Sequence, residues 1–297
     1  MSILPEYVRG PFEAHLSKQE RKLGKTPDKN NYQMSQAALK ALFAVLSSFY
    51  GYLAQEETIL SNPVTSIRQK SKFIRKSDAA PKIRRLSNSQ WQMIMKIANT
   101  NAEKDPKAER DVFILSCLYG LYLRISELVS TKRWQPTMGD FFQDESNNWW
   151  FKTTGKGNKE RQIAVSVSML EALKRYRIAY LNLTPYPTLN EKTPLISHLK
   201  NSQLPITSDY PLRQLVQSYF DQAAEKFEQQ GNQLDADVLK VATVHWLRHT
   251  SISEDVKHRP REHVRDDAGH SSSATTDRYV NVELQERANS AKNKNIF

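Results

Sequence analysis

Apolar residues recur along much of this chain at three- and four-residue steps, the spacing of a helix that buries one face. From Ser35, the positions Leu39, Leu42, Phe43, Leu46, Tyr50 and Leu53 predict an amphipathic helix with a serine cap, ending near Gly51 to Gln55. The segment SNPVTS after it reads as a turn. Ser87-Asn88-Ser89-Gln90 predicts a capping box, in which serine and glutamine satisfy each other's free backbone N–H, ahead of a helix carrying Trp91, Ile94, Met95 and Ala98. Asp105-Pro106 supplies a cap and a first-turn proline for a further helix through Val112, Leu115 and Leu118 to Gly120. Residues 166–180 and 211–230 repeat the pattern, the second through Leu212, Leu215, Val216, Tyr219, Phe220 and Phe227. The period changes at Trp149–Thr153 and Arg161–Val165, where two short strands flank Gly155-Lys156-Gly157-Asn158, the turn chemistry of a hairpin. The fold class that follows is mainly α with a small antiparallel β-sheet.

Between the two helical stretches, residues 66–85 (SIRQKSKFIRKSDAAPKIRR) carry Arg68, Lys70, Lys72, Arg75, Lys76, Lys82, Arg84 and Arg85 against a single acid, Asp78. A solvated loop is the ordinary reading of such a run, and an extended segment lying along phosphates is the other. The chain is long enough for two domains. Its expected organisation is a reduced helical unit at 1–66, a basic linker at 67–85 and a larger unit at 86–297 that ends in a tail. Lys plus Arg number 43 against 32 Asp plus Glu, a net charge of +11, which favours a polyanionic partner. Nucleic acid stands ahead of an anionic membrane surface. No apolar run approaches the roughly 20 residues of a membrane helix, and the start MSILPEYVRG lacks the apolar centre of a signal peptide, so a cytoplasmic protein is expected. The lone Cys117, in VFILSCLYG, excludes an internal disulfide and reads as a buried thiol.

Four segments of the second unit hold polar groups of one chemical kind: Leu123 to Leu128 (LRISEL), Thr154 to Arg161 (TGKGNKER), His245 to Thr250 (HWLRHT), and Gly269-His270-Ser271 with Tyr279 beyond it. They offer arginines, a lysine on a turn, histidines and a phenol. A phosphodiester has two non-bridging oxygens that gain charge during in-line attack, and a guanidinium matches them with two parallel hydrogen bonds. A tyrosine supplies a nucleophile, and a lysine or histidine a proton for the departing oxygen, without metal. Each piece alone has a duller reading. An arginine at a helix start is usually a surface residue, GKGNKER is more often a basic hairpin, and a single tyrosine is more often a packed or surface aromatic. The run is no phosphate-binding Walker loop, because Gly155-Lys156 is followed by Gly and the upstream glycine is missing. His245 and His249 share a helical face, yet Trp246 stands where a zinc protease motif has glutamate, so no metal is expected.

In this order the segments resemble the tyrosine recombinase, or phage-integrase, family, whose members show a GLRxSEL box, a GKGxKxR hairpin, an HxLRH box and a GHxxxxTTxxY tail. Here they stand as YGLYLRISEL, TGKGNKER, HWLRHT and AGHSSSATTDRYV. The resemblance covers roughly residues 86 to 280, and more loosely the helix and Asn-Pro at 35 to 63. It implies that Arg124 and Arg248 bind the scissile phosphate and that Lys156 protonates the 5′ leaving oxygen. His245 and His270 would bond the phosphate and help move the nucleophile's proton, Tyr279 would attack to leave a 3′-phosphotyrosine, and Glu127 would support the cluster. Arg68, Lys70, Lys72, Arg75, Lys76, Lys159 and Arg161 are the expected DNA contacts. The 1–66 unit would be a reduced DNA clamp and 86–297 the catalytic domain. No cofactor is implied, because the covalent bond conserves the phosphodiester energy. The expected partner is double-stranded DNA, engaged by a homotetramer on paired sites through a tail at Val282–Phe297, in integration or excision of a mobile element.

Three stretches depart from the family pattern: an extra Leu-Tyr between Gly120 and the first arginine, a long connection QPTMGDFFQDESNN, and SISEDVKHRPREHVRDDAGH, which is more polar than the family's apolar helix pair. Two alternatives stay open. A type IB topoisomerase-like enzyme shares the tyrosine chemistry without exchange between sites, and a DNA-binding protein without catalysis would use only the basic segment and helices.

Overall fold

A proline fits the first turn of a helix because its missing N–H has no partner there, and Pro63 opens one. The computed structural model describes residues 36–70, 84–155, 159–199, 201–270, 272–277, 279 and 292. Helix α1 spans Gln36–Gln55 and α2 spans Pro63–Lys70. Asn62 caps α2 by accepting the Val64 N–H at 3.0 Å, and its amide donates to the Ser47 carbonyl of α1 at 2.8 Å. Leu39, Phe43 and Val64 close a small core under this corner. The SNPVTS segment is therefore a cap followed by a helix rather than only a turn, and the first part of the expected linker is helical. Arg68 and Lys70 fall in α2, while Lys72, Arg75 and Lys76 lie outside the described residues. The chain divides into two compact units, Met1–Pro81 and Lys82–Phe297.

In the second unit, α3 (Asn88–Lys104) begins with the reciprocal bonds of a capping box: the Gln90 N–H donates to Ser87 Oγ at 3.2 Å and the Ser87 N–H to Gln90 Oε1 at 2.9 Å. Asp105 caps a 3-10 turn at Pro106–Ala108 that leads into α4 (Glu109–Gly120). Consecutive residues Val112 to Leu115, with Cys117 and Leu118, are buried, so α4 is covered on most of its sides and forms the centre of the unit. Each such side chain contributes about 1.5–3 kcal/mol when fully buried. The Cys117 thiol is pushed up by burial and is inert packing.

Strands β1 (Phe141–Gln143), β2 (Trp149–Thr154) and β3 (Glu160–Ala164) form an antiparallel sheet in that order. The register places Phe151 opposite both Phe141 and Ile163, and all three are fully buried. Strand β1 lies within the long QPTMGDFFQDESNN connection; a strand this short has no alternation to reveal it, and its pairing with β2 carries it. Helix α5 (Val167–Arg175) runs on through a π turn at Tyr176–Tyr180, where Tyr176 stacks on Phe113 at 4.6 Å. A second hairpin, β4 (Ser197–His198) and β5 (Asn201–Pro205), precedes α6 (Tyr210–Gln229), α7 (Gln233–Val241), α8 (Val244–Asp255), α9 (Arg261–Ala268) and α10 (Ser273–Asp277). No described helix is long and apolar enough to cross a membrane.

Candidate active site

The site is built around one carboxylate. After α4 the backbone turns at Tyr122, extends through Arg124 and closes a 3-10 turn at Ile125–Glu127. This turn folds Glu127 back so that its Oε2 accepts the Arg124 N–H at 2.9 Å, while Oε1 takes the Arg124 guanidinium at 3.1 Å. Arg161 shares the inward face of β3 with Ile163, and it grips the same carboxylate with two parallel bonds, Nη1 to Oε1 at 3.0 Å and Nη2 to Oε2 at 2.9 Å. Its Nε donates to the Asp267 carbonyl at 3.0 Å. Glu127 is 3% exposed and Arg161 8%. Burial raises the glutamate's pKa, but the Arg161 and Arg124 contacts outweigh it and hold the carboxyl below its ordinary range.

Two glycines let these chains approach. A Cβ on Gly155 would lie 2.9 Å from Arg161 Nη1 and 3.1 Å from Glu127 Oε1. Gly269, which ends α9 in the left-handed region at φ 66°, would place a Cβ 2.8 Å from Arg161 Cδ. Arg161 was expected along DNA phosphates; it is instead buried in the site's framework, because β3 points it inward at Glu127. Lys159 is exposed, and its carbonyl accepts the Gly155 N–H at 2.9 Å to close the hairpin root. Lys156 lies outside the described residues.

Helix α8 brings His245, Arg248 and His249 onto one face. Arg248 is 2% exposed and is held by two backbone carbonyls, Tyr122's on Nη1 and Ala268's on Nη2 at 2.5 Å. Burial, then the charges of Arg124 and Arg161, pull its guanidinium down to about 9, so an anion beside it is favoured. Arg124, 33% exposed, is the more open arginine of the cluster. The rings of His245 and His249 meet edge to face at 4.3 Å. Tyr279, 7% exposed, is hydrogen-bonded through its hydroxyl to His249 Nδ1 at 2.6 Å, and its ring stacks on His270 at 5.7 Å. His270 Nδ1 is in turn bonded to Thr276 Oγ1 at 2.9 Å. Desolvation, together with neighbouring cations, lowers all three imidazoles, His249 and His270 to about 4. They are neutral at pH 7 and able to accept a proton.

The structure thus gathers Arg124, Glu127, His245, Arg248, His270 and Tyr279 around one place and adds His249, whose spacing from His245 on its own suggests only a metal pair. Its place next to Arg248 in the HWLRHT box was the available signal. Tyr119 stacks on Trp91 at 4.1 Å, and burial followed by Asp255 and Glu254 pushes its phenol up to about 12. The polar stretch 251–268 packs by pairing its own charges, Arg259 Nη2 meeting Asp267 at 2.6 Å. Among the described residues no group of His, Cys, Asp and Glu is arranged to hold a metal ion.

The sequence model of the phage integrase family matches residues 84–286, the span that contains all of these groups. The chain belongs to the phage integrase family. As such an integrase it is a DNA strand-breaking and rejoining enzyme of the tyrosine type. Among curated relatives, this integrase is 28% identical to tyrosine recombinase XerC of Thermodesulfovibrio yellowstonii over 256 residues, covering 84% of this chain and 73% of that protein. It is 24% identical to XerC of Chlorobaculum parvum over 251 residues, covering 80% and 67%. Among solved structures, the integrase shares its fold with the XerH site-specific recombinase in a post-cleavage complex with palindromic difH substrate. The TM-score is 0.58 at 18% identity, over 87% of this chain and 65% of that one. The Tn1549 transposon integrase (residues 82–397) in complex with circular-intermediate DNA gives a TM-score of 0.55 at 16% identity, over 95% and 86%.

Proposed function

We propose that this integrase is the site-specific recombinase of a mobile element, with Tyr279 as the nucleophile that cuts double-stranded DNA and is left on the 3′ phosphate. The observation that carries the reading is the gathering of three guanidinium groups, Arg124 and Arg161 bonded to the Glu127 carboxylate and Arg248 held by two backbone carbonyls, in one site with the hydrogen-bonded His249 and Tyr279. Two phosphate oxygens that gain charge in the transition state are what such an excess of preorganised donors stabilises. Arg124 and Arg248 clamp them, Glu127 orients the clamp, and His245 and His270 bond the phosphate and help move the phenolic proton. Lys156, on the hairpin whose root is fixed at Gly155, is assigned as the acid for the 5′ oxygen. The transposon integrase among its structural relatives favours a mobile element.

Tyr279→Phe tests the nucleophile, because it removes one oxygen and no charge. The variant should bind its site at near-parent affinity and form no adduct on a suicide substrate; a persistent adduct would move the attack elsewhere. Lys156→Ala should recover cleavage when the 5′ bridging oxygen is replaced by sulfur, which needs no proton, and no recovery would remove Lys156 from this role.

For the rest of the chain we assign unit 1 to clamping DNA, Lys159 and the basic segment Arg68, Lys70, Lys72, Arg75 and Lys76 to the DNA backbone, and Val282–Phe297 to assembly of tetramers on paired sites. Neutralising the basic segment should flatten the fall of log affinity with log salt; an unchanged slope would make it a plain linker. Truncation at 281 should spare single-site binding and impair synapsis, and full recombination by the truncated chain would reject the tail's role.

A further inference from the structure

The two-residue departure before the first arginine has a use that the reaction chemistry does not itself require. Tyr122 sits there with φ 49°, in the left-handed region that an aromatic side chain seldom occupies, and that turn points its carbonyl at Arg248. Its ring is 1% exposed, packed with Ile252, Val264, Ala268 and Tyr279. Its hydroxyl donates to Asp255 at the end of α8 and accepts from Arg259 Nη1 at 2.8 Å. The other arm of Arg259 reaches Asp267, and Asp267 Oδ1 also accepts the Ala164 N–H of β3 at 3.3 Å.

Arg248 and Arg259 thus span the same gap at two levels. Arg248 bridges the carbonyls of Tyr122 and Ala268; Arg259 bridges the side chains of Tyr122 and Asp267, one residue away. The distance between the two carbonyls that hold Arg248 is therefore set by the residues Arg259 ties together. We propose that Tyr122 and Arg259 are positioning residues, a brace that fixes the Arg248 guanidinium for the scissile phosphate. The proposal rests on the reading of Arg248 as a phosphate clamp. It also gives part of the polarity of 251–268 a use: Asp255 and Asp267 are the acidic partners of Tyr122 and Arg259. Burial and the Asp255 carboxylate push the Tyr122 phenol far up, so it stays protonated and keeps donating.

The test compares cleavage of two suicide substrates by the full-length chain, one with the native scissile phosphodiester and one with a methylphosphonate there. The methylphosphonate lacks one charged oxygen and has less need of a guanidinium. Tyr122→Phe should slow cleavage of the native linkage on the order of 10²-fold, the effect of a misplaced catalytic group, with DNA affinity and melting temperature near those of the parent. On methylphosphonate its deficit should close to a few-fold, as should that of Arg248→Ala. Equal deficits on both substrates, or no deficit, would overturn the brace. A deficit of Arg248→Ala that persists on methylphosphonate would instead overturn the clamp reading. Arg259→Lys, which keeps the charge but replaces the two-armed fork with a single nitrogen, provides the same comparison should Tyr122→Phe fold poorly.

Discussion

On the arginine side of the site, position is enforced by hydrogen bonds from charged guanidiniums; on the tyrosine side it rests on ring packing and a hydroxyl–imidazole bond. Arg161 and Glu127 are desolvated and paired through two parallel bonds, and Arg248 hangs between two carbonyls. His245, His249, His270 and Tyr279 meet ring to ring, with the hydroxyl–imidazole contact at 2.6 Å. The difference is functional. A group that stabilises developing charge works best when it cannot reorganise, whereas a group that is to take a proton must first be without one, as these lowered imidazoles are at pH 7. The halves are also coupled, since the cations named above contribute to holding the imidazoles neutral.

Substitutions sharpen the contrast. The largest expected effect is on stability: Glu127→Gln leaves buried guanidinium charge unpaired and should cost roughly 3–5 kcal/mol, measured by denaturant unfolding, while His249→Gln should change stability far less. Similar losses from the two would erase the distinction. Next, Arg124→Ala should slow adduct formation roughly 10²- to 10³-fold with a small stability change, because the side chain is partly exposed. A binding defect with unchanged cleavage of bound DNA would place Arg124 outside the clamp. Gly155→Ala crowds Arg161 and Glu127 and should cost about 1–3 kcal/mol, whereas an unchanged melting temperature would show that the arginine side can yield.

The smallest effect is a pH dependence. His270 has a folded pKa of about 4 against an ordinary 6.5, so as pH falls through that window the unfolded chain takes up the proton first. Its contribution to stability is complete above about pH 6.5 and is lost towards pH 4. His270→Asn should flatten the acid limb of melting temperature against pH; an identical limb in the variant would mean that other groups carry it.

Local signals were legible in the sequence and tertiary ones were not. The Ser87–Gln90 box, the Asp105-Pro106 start and the Gly155 hairpin each depend on residues within one turn of each other, and each forms where its spacing predicts. Arg161 looked like any cation of a basic hairpin, since nothing near it announces a carboxylate 34 residues upstream. His249 reads from sequence as half of a metal motif, because its bond to Tyr279 crosses 30 residues. The polarity of 251–268 stands out as a departure from the family pattern because the sequence alone does not reveal that Arg259 pairs with both Asp255 and Asp267. Strand β1 was hidden for a different reason, a length too short to show a period.

The hairpin register has a consequence for how this enzyme can vary. Arg161 faces Glu127 only because Thr153 and Arg161 are paired and side chains alternate along β3. One residue inserted between Lys159 and Arg161 would reverse that parity, turning the arginine outward and an outward neighbour inward. Residues added at the tip, beyond the Gly155–Lys159 bond, leave the parity untouched. Insertions between Gly155 and Lys159 are therefore compatible with the Arg161–Glu127 pairing, while the few residues at the hairpin root are fixed in number.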